Sequence, residues 1–384
     1  MPRRAEAFRE IRILLVAPSL DKVGGQSIQA NRLRERLARV SGVRVRLLPI
    51  DPRLPGPLRR LQRVKYVRTI ATSIAYVWSL LRTVPHYDVV HAFSASYWSF
   101  LLAPVPAMLA AKLFGKRIVL DYRSGEADDH LSNWRMALWG VRLADVVVVH
   151  SAYHVGVFAK HGVVARSIYN FVDEDKLRYR ERSSPRPRFF GNRHFEPLYN
   201  VPCLVRAFAI VQRAIPDAEL ILAGDGVQRA EIERLIRELD IRRVRLIGRV
   251  DPRDMPALYD WADVYLNSPN IDNVPGSLLE CLGAGLPVAS TDAGGIPFIV
   301  INGETGLLVP CGDHQALAAA AIRLVREPGL AHRLASNALA EARSKYVWSA
   351  VRDKWTALYG SLAPSTRDSL SEPVSTSGGS CAVP

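Results

Sequence analysis

Two carboxylates eight positions apart, Asp272 and Glu280, flank a proline-glycine turn within NSPNIDNVPGSLLECLGAGLPVAST. Asp272, Asn273, Val274, Pro275, Gly276 and Ser277 turn the chain, and Ser277 is a suitable N-cap for the helix begun by LLECLGAG. A helix start offers backbone N–H groups with no intrahelical acceptor and the positive end of the helix dipole, so an anion belongs at this turn. Asp272 precedes the helix and Glu280 lies one turn into it. One carboxylate can therefore face the loop while the other accepts hydrogen bonds from vicinal hydroxyls such as those of a ribose. Turns of this type also occur in ordinary nucleotide-free strand–turn–helix units. What distinguishes this one is its sequel, GAGLPV and then DAGGIP.

Other residues could do chemistry and are read more plainly. Asp173, Glu174 and Asp175 form a DxD triplet of the kind that holds Mn²⁺, but in a charged connecting segment where such triplets are common. His150 and His154 have the i, i+4 spacing of a zinc helix without the accompanying Glu, and are read as packed or surface imidazoles. Cys281 is read as a small buried apolar residue. Four cysteines with no CxxC pair argue against a disulfide framework or a zinc site and fit a reducing cytoplasm.

The elements that must hold these groups alternate along the chain. Short β-branched runs (IRILLVA, VRVRLLPI, DVVHAF, RIVLDY, DVVVVH, RSIYNF, then ELILAGDG, RVRLIGRV, DVYLNS, PVAST) are separated by helical segments, the pattern of parallel strands with crossover helices. At 384 residues, two α/β domains are expected. The expected division is a first domain over 1–171, a linker at 172–190 rich in charge and proline, and a second domain over 191–345. A final helix over 346–363 carries Trp348, Val351, Trp355 and Leu358 at helical spacing. The segment 364–384, rich in Ser, Pro and Gly, is expected to be disordered.

The block over residues 267–310, with its acid–seven–Glu spacing, GAGLPVAST, AGGIP and NGETGLLVP, resembles the retaining GT-B glycosyltransferases of glycosyltransferase family four, and the resemblance extends over roughly residues 11–360. It implies two Rossmann-like doubly wound domains facing a cleft, with the C-terminal helix crossing back to the first. It implies transfer of a sugar from a nucleoside diphosphate to an acceptor hydroxyl with retention, and no metal or other cofactor. Carried over by position, the resemblance gives Glu280 the donor ribose and Asp272 the transferred sugar. The diphosphate falls to Arg193 and the N–H groups from Gly276 to Leu278, with Asn273 and Val274 in the same donor loop. Gly24 and Gly25 match the glycine-rich loop after the first strand. Three positions depart from the pattern: Asp272 stands where many members have Glu, Tyr199 near the place of a phosphate-binding Lys, and Arg123 where a His is common.

These departures keep two alternatives open, a non-catalytic GT-B nucleotide- or glycan-binding protein and a sugar-nucleotide epimerase. The acceptor class, whether glycan, lipid or small molecule, is not specified by the residues. The formal net charge of +14 is concentrated at the N-terminal end, where residues 1–92 carry 18 Lys or Arg against 6 Asp or Glu. Residues 52–87 hold seven basic residues and no acid, with Leu58, Leu61, Val64 and Val67 at helical spacing. This suits either an anionic cytoplasmic membrane surface or a helix packed on the core. No aromatic-interleaved basic motif accompanies the charge, so nucleic acid is not expected as a partner. The stretches at 69–81 and 97–115 are too short or too broken by proline to span a bilayer, and IRILLVAPS is too short for a secretion signal.

Overall fold

The structure, a computed structural model, describes residues 10–19, 21, 24–54, 56 and 65–363. The tail at 364–384 and Leu58, Leu61 and Val64 of the basic stretch lie outside the described residues.

Among the described residues, twelve strands form two wholly parallel six-stranded sheets. The first contains β1 (Ile11–Ala17), β2 (Val43–Pro49), β3 (Val89–Ser94), β4 (Arg117–Tyr122), β5 (Val146–Val149) and β6 (Ala165–Ser167). The second contains β7 (Arg188–Gly191), β8 (Glu219–Ala223), β9 (Val244–Gly248), β10 (Val264–Asn267), β11 (Val288–Thr291) and β12 (Leu307–Val309). Central strands are apolar on both faces because helices cover both; every residue of β3 and of β10 is buried. The edge strands β2 and β9 alternate in exposure, as one-sided burial requires, and their sequences VRVRLLP and VRLIG alternate accordingly.

The strand orders are β2-β1-β3-β4-β5-β6 and β12-β11-β10-β7-β8-β9. Chain direction across the sheet reverses between β1 and β3 in the first domain and between β7 and β10 in the second. Open α/β sheets bind ligands just beyond the carboxyl ends of such reversal points. Three strands differ from expectation, one of them β12, where no run was read as a strand. The strand read in RSIYNF is confined to Ala165–Ser167, and β7 begins at Arg188, inside the 172–190 segment read as a linker. With four residues and a proline-rich approach, RFFG carries too little periodicity to be recognised.

The last helix, Trp348–Leu362, leaves the second domain and buries Val351, Trp355, Leu358 and Tyr359 against Ile13, Leu33, Val89 and Phe93 of the first. The opposite face of the first sheet is covered by helices bearing Tyr76, Leu80, Phe100, Met108 and Phe158. The two domains are thus held together by a helix crossing back as well as by contacts across the cleft.

Candidate active site

Loops from the carboxyl ends of both sheets enclose one cleft of about 450 Å³. Gly24 follows β1, Ala95 follows β3, Arg123 follows β4, Arg193 follows β7, Arg249 follows β9 and Asp272 follows β10, and all of them line it. Gly24, Gly25, Arg123, Arg193, Tyr199, Asp272, Asn273, Val274, Gly276, Ser277 and Glu280, read from the sequence, therefore share one space.

Leu278 is the exception. Its side chain is fully buried in the second domain's core, and its N–H donates to the Pro275 carbonyl at 3.1 Å. Among the described residues, the Gly276 and Ser277 N–H groups at the helix start have no backbone acceptor. Ser277 is also not the cap. The helix runs Gly276–Gly283 with Pro275 as N-cap, because proline's fixed φ suits the entry to the first turn. The Ser277 hydroxyl instead accepts from Arg193 at 3.4 Å and from Tyr265 at 3.2 Å.

Arg193 is buried in the cleft and held by three partners. It donates to Asp272 and to Ser277, and its guanidinium carbon stands 4.0 Å from the centre of the Tyr199 ring. Burial opposes its charge, but Asp272 holds it above the ordinary arginine value. For Asp272 burial is the larger influence and pushes the carboxyl up, with Arg193 pulling the other way. The glycines of AGGIP explain how the Asp272 loop is seated. Gly294 has φ +51°, and a Cβ there would collide with the Asp272 carbonyl oxygen, while Gly295 donates its N–H to that oxygen at 3.0 Å.

Glu280 is gripped from both domains. Arg32, on the helix Gly25–Leu37 of the first domain, forms an ion pair with it, and Tyr259 of the second donates its hydroxyl at 2.6 Å. Arg32 and Tyr259 were not singled out in the sequence. For Arg32 the trace there is the polar row Gln29, Arg32 and Arg36 on a helix whose other face carries Ala30, Leu33 and Leu37. Gln29 reaches the Phe171 carbonyl and Arg36 reaches Asp173 at 3.1 Å. The DxD carboxylates are therefore spent on cations, Asp173 on Arg36, Arg32 and Lys176, and Asp175 on Arg36. Among the described residues no cluster of three or more His, Cys, Asp or Glu could hold a metal ion.

Arg123 is fixed from below. It donates to Asp121 and to Asn170, both at 2.7 Å, and the Asn170 amide donates to the Val274 carbonyl at 3.2 Å, tying the first domain to the Asp272 loop. Burial alone would raise Asp121, but Arg123, His150 and His91 together hold it well below the usual carboxylate range. His150 thus belongs to a buried network and not to a metal pair. His154 accepts from the Asn273 amide at 3.0 Å, and Ser151 donates to the Asn273 carbonyl oxygen at 2.7 Å. The sequence also gave no prominence to Arg249, which follows β9, lines the cleft and makes no ion pair with a described residue.

A pH dependence follows from these buried imidazoles. Burial lowers His154 to about 3 and His130 to about 4, from an ordinary 6.5. Below that ordinary value the unfolded chain takes up protons that the folded chain refuses. Stability should therefore fall on acidification, by up to about 1.4 kcal/mol per pH unit for each histidine, until the folded imidazoles themselves titrate. Thermal melts should show this as a declining Tm below about pH 6.5, with a shallower decline in His154→Gln. A Tm that stays flat over that range, or an undiminished slope in the variant, would contradict it.

Comparison with known proteins fits the cleft. A family model described as glycosyl transferases group 1 matches residues 175–341, and one described as glycosyltransferase family 4 matches residues 23–176. The chain is 25% identical over 296 residues to the N-acetyl-alpha-D-glucosaminyl L-malate synthase of Bacillus anthracis, covering 71% of this chain and 73% of that protein. It is 32% identical over 213 residues to a phosphatidyl-myo-inositol mannosyltransferase of Mycobacterium leprae, covering 53% of this chain and 55% of that protein. Among solved structures, HepE of Anabaena in complex with UDP and glucose superposes with a TM-score of 0.72 at 21% identity, over 91% of this chain and 100% of that one. Sucrose-phosphate synthase of Thermosynechococcus elongatus gives 0.73 at 22% identity, over 92% and 99%. At these identities the structural likeness establishes the GT-B fold. The two domain signatures meet at residues 175–176 and together span 23–341, so the chain is a glycosyltransferase and belongs to glycosyltransferase family 4.

Proposed function

We propose that this glycosyltransferase moves a sugar from a nucleoside diphosphate to an acceptor hydroxyl with retention at the anomeric carbon, in the synthesis of a glycan, polysaccharide or glycolipid. The observation that carries the reading is the convergence, at the reversal points of both sheets, of a helix N-terminus, a buried arginine and two carboxylates in one cleft. The diphosphate lies against Arg193 and the Gly276 and Ser277 N–H groups, the ribose against Glu280, and the transferred sugar near Asp272 and Arg123. Gly24 and Gly25 close the phosphate side from the first domain, and Gly25 has open space where a Cβ would stand. Arg249 supplies a second cation in place of the lysine that Tyr199 replaces. HepE is described with UDP and with UDP-glucose, so UDP-glucose is the first donor to test.

During transfer, charge develops on the leaving diphosphate. Arg193 and the helix start are already oriented toward it, and fixed donors of this kind stabilise such charge without reorganising. Because Arg193 is shared with Asp272, donor phosphate draws the guanidinium partly away from that carboxylate. Asp272 then has lone pairs free for a sugar hydroxyl. Contacts across the cleft, Arg32 to Glu280 and Ser151 to Asn273, hold the lobes close and exclude water that would hydrolyse the donor.

A screen of common nucleotide sugars for donor hydrolysis tests the reading. Turnover of at least one supports it; nucleotide binding without any turnover would favour the non-catalytic alternative, and release of an epimerised sugar without acceptor the epimerase. The same reading requires no metal, so turnover should persist in EDTA. Loss in EDTA restored by Mn²⁺ would instead give Asp173 and Asp175 the metal role despite their cationic partners. The reading also includes a cytoplasmic protein associated peripherally with an anionic membrane through its basic N-terminal quarter. No described helix is long and apolar enough to cross a membrane.

A further inference from the structure

The helix Lys65–Thr83 buries Tyr76 and Leu80 on the first sheet, yet a second apolar face points outward. Val67, Ile70, Ile74, Val77, Trp78 and Leu81 are all exposed, Ile70 by 64% and Ile74 by 67%, and on an ideal helix they fall within an arc of about 100°. This stripe is not isolated. The helices Tyr97–Leu102, Pro104–Leu113 and Arg135–Val141 lie in the same layer, packing Phe100, Met108 and Ala137 into the same core cluster as Tyr76. Each also shows an outward apolar pair at helical spacing: Trp98 with Leu102, Leu109 with Leu113, and Met136 with Trp139. Trp98 is 68% exposed and Leu113 70%. A monomer seldom leaves an apolar surface of this extent to water, and such a surface marks an interaction site.

Charge identifies the occupant. None of the four helices contains an acidic residue, whereas Arg68, Arg82, Lys112 and Arg135 lie on them. Arg82 stacks over Trp78, 4.4 Å from its ring centre, at the border of the apolar stripe. Beyond that border Arg82 joins Arg12, Arg44, Arg46 and His86 around a separate hollow of about 300 Å³. At this hollow Arg12 is engaged by Asp88 and also lies within the electrostatic reach of Glu10, whereas Arg44 and Arg46 make no ion pair with a described residue. On the cleft side, Asp128 is held by Lys160 and Asp129 by Tyr97 and Asn133. Lys112 stands 4.0 Å from Asp145, whereas Arg68, Arg82 and Arg135 make no ion pair with a described residue, and tryptophan and aliphatic side chains bordered by such cations match the headgroup and upper acyl region of an anionic bilayer.

We infer that this four-helix face is the surface by which the protein docks on an anionic lipid bilayer, with the hollow around Arg44, Arg46 and Arg82 receiving a lipid phosphate. The inference rests on the peripheral-membrane reading above and specifies its surface. Docking in this way brings the first-domain rim of the cleft to headgroup level, since Trp98 stands three residues beyond Ala95, which lines the cleft. The apolar side chains supply insertion, and the cations supply the preference for anionic lipid.

The test uses the full chain with vesicles of phosphatidylcholine alone or mixed with phosphatidylglycerol, measured by cosedimentation at low and high salt. Binding is expected to the mixed vesicles only, weakening as salt rises. Ile74→Glu combined with Trp78→Glu should lower partitioning tenfold or more, and Arg44→Glu combined with Arg46→Glu should lower it by about tenfold or more. Both pairs are exposed, so circular dichroism and donor hydrolysis should match wild type. Equal recovery on neutral and anionic vesicles, no binding to either, or undiminished binding of both variants would overturn the inference. So would a concentration-dependent dimer that the Ile74 and Trp78 changes abolish, because the face would then belong to a second copy. Donor hydrolysis in the same preparations reads the transferase function separately, so failure of one is distinguishable from failure of the other.

Discussion

Arg193→Ala is expected to lower kcat/KM for the best donor by about a hundredfold or more, the scale of losing one strong, preoriented electrostatic donor. The expectation is sharpened by what surrounds the residue. Tyr199 stands near the place where the family resemblance expects a phosphate-binding lysine, and its neutral ring supports Arg193 through the cation–π contact at 4.0 Å. Tyr199→Phe keeps that ring and should cost far less than Arg193→Ala. Arg193→Lys should recover part of the loss, because it restores a charge without the planar fork that reaches Asp272 and Ser277 together. Removing Arg193 also leaves Asp272 buried and unpaired, so the variant's folding must be checked by thermal melting. If it is folded and turns over donor at the wild-type rate, the diphosphate is not held at Arg193.

Glu280→Gln is expected to weaken nucleotide binding by roughly 1.5–3 kcal/mol, the contribution of a charge-assisted hydrogen bond. That corresponds to about a tenfold to hundredfold rise in Kd. Gln is preferred to Ala because Glu280 accepts from Arg32 and Tyr259, and truncation would strand the buried guanidinium. The amide keeps one acceptor oxygen for those partners while removing the charge that strengthens hydrogen bonds from ribose hydroxyls. Calorimetry with UDP as the probe measures the effect. Affinity unchanged from wild type would show that the ribose lies elsewhere in the cleft.

The Asp272 loop was readable because its information is local. Asp272, the Pro275–Gly276 turn and Glu280 lie on one loop and the helix it enters, so spacing alone brings them to one end of that helix. The same holds for Gly24 at the start of the helix Gly25–Leu37. Where a backbone detail mattered, the reading slipped: Ser277 is not the cap, and the Leu278 N–H is engaged with Pro275. Periodicity names the residues that begin a helix only to within a residue or two.

By itself, then, the sequence determined the alternation of buried strands and helices, the two-domain α/β plan and the loop that starts at Asp272. Each depends on backbone and side-chain periodicity over a few neighbouring residues. Tertiary structure alone decided the partners. Arg32 and Glu280 are 248 positions apart and meet only because the reversal points of the two sheets face each other. The buried set of Asp121, His91, His150 and Tyr359 needs three neighbouring strands and the returning C-terminal helix in one place. The glycines of AGGIP gain their purpose from the Asp272 carbonyl that they pass. The helix Lys65–Thr83 makes the same point about surfaces. Its sequence shows which side chains share a side, but only the packing of Tyr76 and Leu80 decides which side meets the core and which is left outside.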